Sequence, residues 1–250
     1  MKVQILPSGS SANRLQYLTS FIVDETVSID AGCIGLVGEP SDQALVDHIL
    51  ITHTHSDHIS SLPMFIENRE GNSLQIYGNS FVLETLRHDV FNGRIWPDLL
   101  KGDFEGTEKV TLVPLQAENT IRCGGLEITP VAVNHIVPTF GLIVEDEDST
   151  VIFGSDSGPT DRIWELTRNR PNLKATFIES SFPDRLRNHA NATGHLTPQL
   201  LKTEAAKLPS HVSKVVIHIK PRYHDEVVRD IESLGIESLI IGMGGESYTF

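Results

Sequence analysis

Thr52-His53-Thr54-His55-Ser56-Asp57-His58 places four metal-binding side chains within six residues. The run follows the apolar Ile49-Leu50-Ile51, which reads as the end of a buried strand. It precedes Ile59-Ser60-Ser61-Leu62-Pro63-Met64-Phe65-Ile66, which reads as the first turns of a helix. The histidines therefore lie on a strand-to-helix loop, where side chains can converge on one point. Residues two apart in an extended segment project the same way, so His53 and His55 can grip one ion together. Asp57 and His58 fall past the bend and suit a second ion close by. Imidazole and carboxylate donors accept zinc, manganese or iron. A polar loop with scattered histidines is the plainer reading, and the ligand spacing argues against it.

Composition narrows the class. A chain of 250 residues with 39% hydrophobic and 21% charged residues fits a soluble globular protein with a sizeable core. No apolar run approaches a membrane span. The N-terminal Met1-Lys2-Val3-Gln4-Ile5-Leu6-Pro7 reads as an immediate strand, not a signal peptide, so a cytoplasmic location is expected. The net charge of −13 disfavours a nucleic-acid polymer or an anionic membrane as partner. A small phosphate ester remains compatible, because bound cations would set the local field. Cys33 and Cys123 have no metal-ligand spacing; two reduced, partly buried thiols are expected, with a single bridge left open.

Working outward from the histidine loop, strands are expected at Val3 to Leu6, Phe21 to Val23 and Thr26 to Ile29, with a small-residue loop over 7–13. A short helix is expected at Ser41 to Val46, a strand at Leu74 to Tyr77 and a helix at Ser80 to His88. Further strands are expected at Val110 to Leu115, Thr120 to Arg122, Leu126 to Val133, Phe140 to Glu145, Thr150 to Phe153, Leu173 to Ile178, Val215 to Ile217 and Ile236 to Ile241. Helices are read at Thr160 to Thr167, Asp184 to Ala190, from Pro198 to about Lys207 after a Thr197 N-cap, and at His224 to Ser233. The C-terminal Met243 to Phe250 reads as an edge strand. Two strand-rich halves of similar size suggest two sheets packed face to face, with helices outside, in one domain. Val90-Phe91-Asn92-Gly93-Arg94-Ile95-Trp96-Pro97-Asp98 reads as a packed surface loop, with a pocket wall that stacks a base as the alternative.

The H-x-H-x-D-H run after a strand resembles the signature of the metallo-β-lactamase superfamily. That resemblance implies a four-layer αββα fold of the α/β class over residues 1–250, and a dinuclear site. It predicts further ligands downstream. His135, at the end of an apolar strand, supplies a third histidine beside His53 and His55. Asp57, His58 and His218 serve the other ion, and Asp156 is shared. Asp30-Ala31-Gly32 matches the superfamily's Asp-x-Gly turn, whose expected role is to brace the metal loop. Two cations about 3.5–4 Å apart would acidify a water and clamp a displacement at phosphorus.

Longer runs resemble the class II cyclic-nucleotide phosphodiesterases. They are Phe91-Asn92-Gly93-Arg94-Ile95-Trp96-Pro97-Asp98, Ser155-Asp156-Ser157-Gly158-Pro159-Thr160-Asp161-Arg162-Ile163-Trp164, Phe177-Ile178-Glu179-Ser180-Ser181-Phe182-Pro183, Gly194-His195-Leu196-Thr197-Pro198 and His218-Ile219-Lys220-Pro221. Ser56 departs from the family, where an apolar residue is common. As lone residues, His195 and Glu179 would more often be structural; the resemblance makes His195 the acid that protonates the leaving oxygen and Glu179 its orienting partner. Asp57 joins them among the catalytic candidates. The resemblance implies hydrolysis of 3′,5′-cyclic AMP, with cyclic GMP open, by a hydroxide between two divalent ions. Zinc is the first expectation, with manganese or iron open. His48, His88, His189, His211 and His224 are read as surface or packing residues. Rival readings are a 3′-processing tRNA endonuclease, a thioester or lactam hydrolase, and a non-catalytic nucleotide-binding protein. Oligomeric state stays open, a homodimer included.

Overall fold

A computed structural model describes residues 1–8, 15–71, 73–101 and 110–250. Most of the small-residue loop expected over 7–13 lies outside them. Among the described residues, fourteen strands are arranged in two sheets of seven. The first sheet holds β1 (Lys2–Ile5), β2 (Phe21–Val23), β3 (Val27–Ile29), β4 (His48–Leu50), β5 (Leu74–Gly78) and β6 (Val110–Pro114), with β14 (Ser247–Thr249) on its outer edge. The second holds β7 (Ile121–Cys123), β8 (Leu126–Ala132), β9 (Phe140–Glu145), β10 (Thr150–Phe153), β11 (Leu173–Glu179), β12 (Ser213–Ile217) and β13 (Leu239–Ile241).

Each sheet is half antiparallel and half parallel, and sequence dictates which. Where a few residues join the strands, as Asp24-Glu25-Thr26 do between β2 and β3, the pair is antiparallel. Where a helix intervenes, the strands run parallel, as β3 to β6 and β10 to β13 do. The crossover helices are α1 (Pro40–Gln43), α2 (Ser56–Ile59), α3 (Leu62–Asn68) and α4 (Ser80–Thr85) on the first sheet. On the second they are α5 (Arg162–Thr167), α6 (Arg187–Thr193), α7 (Pro198–Ala205) and α8 (His224–Ser233).

Alternation along the strands divides the interior into three. Leu50, Leu142, Val144, Phe153, Phe177 and Val215 point between the sheets. Their neighbours Ile49 and Ile51 face the helices of the first sheet, and Ile143, Ile152, Ile178 and Val216 face those of the second. Both faces of each sheet are thus buried, which is why these strands read as continuous apolar runs. The result is the expected αββα sandwich. Phe91 is buried in the first outer layer and Trp96 packs against it, while Ile95 is exposed. Two expectations are corrected. The last long strand pairs only over Leu239–Ile241, because Ser238 adopts a left-handed φ of +54° that breaks the extension before it. The helix from Ser80 changes to a π-turn after Thr85. Cys33 and Cys123 are buried free thiols. Among the described residues no helix is long and apolar enough to cross a membrane.

Candidate metal centre

The histidine loop leaves β4 and enters α2 at Ser56, three residues earlier than expected, with His55 as the N-cap residue. The bend between His55 and His58 is therefore the helix start itself, closed by the His58 amide donating to the His55 carbonyl at 3.0 Å. Asp57 sits in the first turn, where a carboxylate is favoured by the helix dipole. Gly32 makes this possible: a Cβ there would lie 2.0 Å from the Asp57 carbonyl oxygen.

The structure brings all nine predicted side chains into one cluster. Donor atoms of His53, His55, His135 and Asp156 lie within 4.8 Å of one another, and so do those of Asp57, His58 and His218. His135 Nε2 is 3.2 Å from His55 Nδ1, and His218 Nε2 is 3.1 Å from Asp57 Oδ2. Asp156 stands between the groups. Its Oδ2 is 3.8 Å from His53 Nε2, and its Oδ1 is 3.5 Å from His58 Nε2 and 3.3 Å from His218 Nδ1.

The ring tautomers suit a cation. His53 Nδ1 lies 3.0 Å from the Thr52 hydroxyl, which donates to Asp30. His58 Nδ1 donates to Asp30 Oδ2 at 2.7 Å, and His135 Nδ1 to the Gly194 carbonyl at 2.9 Å. With the Nδ1 atoms committed outward, the Nε2 atoms face inward as bases. Those of His53 and His58 are buried, and among the described residues they have no hydrogen-bond partner. Such orphaned buried acceptors are costly unless something binds them, and nitrogen and carboxylate donors of this kind bind a divalent transition metal. The residues therefore fit the implied ions. Electrostatics agrees. Burial opposes a charge on His58, but Asp156 and Asp30 outweigh it and raise its proton affinity well above the ordinary histidine value. Burial equally opposes ionisation of Asp156, yet His218, His58 and His53 hold its carboxyl well below the usual range. Burial instead pushes His53, His55 and His135 below the ordinary value, so these rings stay neutral with a nitrogen free for a cation.

Beside this cluster, His195 Nδ1 donates to Glu179 Oε1 at 2.6 Å. Glu179 is buried and also accepts the amides of Ser157, Ser181 and Leu196. Burial lowers the proton affinity of His195, but the adjoining Glu179 charge reverses this and leaves it above the ordinary value. The His195 ring lies 5.0 Å from that of His135 and 5.7 Å from that of His218. Asp30 braces the loop as expected, taking the Thr52 amide at 2.8 Å as well.

Three neighbours escaped the sequence reading. The buried Ser181 hydroxyl lies 3.0 Å from His218 Nδ1 and donates to the His218 carbonyl at 3.1 Å. Gln16 Oε1 accepts the His218 amide at 3.0 Å. Lys220 Nζ reaches Asp57 Oδ2 at 3.1 Å. Ser181 and Lys220 lie in quoted runs, but nothing in their spacing marks them; Gln16 is 202 residues from its partner.

This fold, with a histidine and aspartate cluster at the strand ends, defines a metal-dependent hydrolase of the metallo-β-lactamase type. Residues 35–219 match the β-lactamase superfamily domain model, and the chain belongs to that family. It is 26% identical over 234 residues to the "Probable 3′,5′-cyclic-nucleotide phosphodiesterase" of Yersinia pestis, covering 80% of this chain and 67% of that protein. It is 27% identical over 155 residues to a ribonuclease Z of Metallosphaera sedula, covering 60% of this chain and 50% of that protein. The chain thus spans between half and two thirds of these relatives. The crystal structure of unliganded yeast PDE1 superimposes with a TM-score of 0.77 at 18% identity, covering 98% of each chain.

Proposed function

We propose that the chain, as one domain over residues 1–250, is a 3′,5′-cyclic-nucleotide phosphodiesterase acting on cyclic AMP, with cyclic GMP as a second substrate. The observation that carries this reading is the Glu179–His195 pair set against a seven-residue ligand cluster pivoting on Asp156. His53, His55 and His135 would hold one divalent ion and Asp57, His58 and His218 the other, with Asp156 shared. Two such ions, zinc by first expectation, supply an acidified water and neutralise phosphoryl oxygens.

The protein groups do the rest. Glu179 holds His195 with Nδ1–H directed at the carboxylate, so that Nε2 faces the substrate. The raised proton affinity of His195 keeps a proton there for the departing 3′-oxygen. As a water-derived oxygen bonds to phosphorus and the P–O3′ bond breaks, the 3′-oxygen takes that proton and the 5′-monophosphate remains. Asp30 and Thr52 keep the histidine rings from turning.

The ribonuclease Z relative supports a second reading, a 3′-processing tRNA endonuclease. The net charge of −13 weighs against it. Metal analysis with cyclic AMP hydrolysis, before and after chelation, and with precursor tRNA and a thioester in parallel, decides. Cleavage of precursor tRNA or thioester by zinc-loaded protein that leaves cyclic nucleotides intact would end the first reading.

A further inference from the structure

Lys220 is the cation that neither the ligand pattern nor the acid pair accounts for. It precedes a short 3₁₀ turn, Pro221–Tyr223, two residues after His218. Its Nζ donates to Asp57 Oδ2 at 3.1 Å and lies 3.2 Å from His218 Nε2. The ammonium thus touches, from the solvent side, two side chains proposed for the second ion. Its side chain is 32% exposed, against 6% for His218. A neighbouring guanidinium is already spent: Arg185 is paired through two hydrogen bonds with Glu226.

An ammonium carries three rotatable donors. Asp57 accepts one and the His218 ring faces another, and a third remains for a ligand on a side chain that is partly exposed. Positive charge held beside a cation-binding carboxylate is favourable when an anion completes the group. The partner that fits this ammonium is a tetrahedral oxyanion.

We propose that Lys220 binds a non-bridging phosphate oxygen of the substrate and thereby selects a phosphodiester anion over a neutral ester or thioester. The inference rests on the phosphoesterase reading of the site, and its test does not depend on turnover. Dissociation constants for inorganic phosphate and 5′-AMP are measured by equilibrium dialysis on zinc-loaded wild type, Lys220→Met and Lys220→Arg. Bound zinc is determined on the same samples, and kcat and KM for cyclic AMP separately. Loss of one charge-assisted hydrogen bond should weaken both ligands about tenfold or more in Lys220→Met. KM should rise in step, zinc content should not change, and Lys220→Arg should keep most of the affinity. Unchanged phosphate and 5′-AMP affinity in Lys220→Met overturns the proposal. So does a fall in zinc with affinity restored by excess zinc, which would make the lysine a brace for Asp57. Lysine-dependent phosphate binding in a wild type that does not hydrolyse cyclic AMP would sink the phosphodiesterase reading and leave this one standing.

Discussion

His195 and Asp156 face the same centre, and their chemistry is set by what else each one touches. Asp156 is surrounded by three histidines. Asp156→Ala should therefore lower metal content and activity together; full activity with one ion bound would refute its shared position. His195 is tied to Glu179, so His195→Ala should cut turnover about 10²–10⁴-fold and leave bound metal near the wild-type value. Atomic absorption on the purified variant checks this. Metal loss would make His195 a ligand, because its donor also converges with those of Asp156 and His218. The two cysteines should be inert. Burial pushes the Cys33 thiol up to about 11, against a hydrogen bond from Ser20, and the Cys123 thiol up to about 12. Native protein at pH 8 should resist a disulfide-exchange reagent and react fully once unfolded; rapid reaction of either thiol in the native state would contradict the burial. At this scale the side chains proposed as ligands could be picked out from the sequence because metal binding demands particular donors at strand ends. Ser181 and Gln16 were not, since a hydroxyl or amide can satisfy a histidine from anywhere the fold brings it.

Elements decide whether those donors meet. Three non-glycine residues adopt a left-handed φ at the site: Asp30 at +60°, Ser155 at +56° and His218 at +56°. Each such residue costs on the order of 1–3 kcal/mol, so the surrounding contacts must over-determine it. At Asp30 those contacts are Thr52 and His58, both on the segment after β4. Asp30→Ala would leave their buried donors without an acceptor. We expect a loss of about 3–5 kcal/mol in denaturant unfolding together with weaker metal binding. A stability change below about 0.5 kcal/mol, the range of an ordinary surface substitution, would show that the turn does not brace the loop. Gly194 plays the matching part for His135. It has φ +67°, and a Cβ there would stand 2.8 Å from His135 Cα. Gly194→Ala should displace His135 and lower metal occupancy. Strand and helix identities were legible because periodicity is a local property. Their ends were less so: the start of α2 at Ser56 and the break before Leu239 depend on backbone turns that no apolar pattern records.

Across the whole molecule, the site is where the two sheets are joined at their strand ends. His53, His55, Asp57 and His58 come from the first sheet's β4 segment, while His135, Asp156, Glu179 and His218 follow or end β8, β10, β11 and β12 of the second. Polar ties across this seam include the Phe140 amide to the Thr52 carbonyl at 3.1 Å and Asn79 Nδ2 to the Pro138 carbonyl at 2.9 Å. None of the clustered histidines and aspartates is part of the apolar core between the sheets. It is anchored by Phe153 stacked on Phe177 at 4.9 Å with Phe21 edge-on to both. Bound ions would thus act as a cross-link at one end of the sandwich. Binding at 1,000 times the dissociation constant stabilises by about 4 kcal/mol per ion. In a chain of this size each kcal/mol moves Tm by roughly 2–4 °C. Chelation should accordingly lower Tm by about 10 °C or more, abolish hydrolysis, and leave the far-ultraviolet circular dichroism unchanged; added zinc should restore both Tm and activity. Scanning calorimetry, circular dichroism and the hydrolysis assay, run on the same samples with verified metal removal, read these three outcomes. An unchanged Tm would mean that the seven side chains meet without holding ions, and loss of helix and strand signal would mean that the inter-sheet core cannot stand without them.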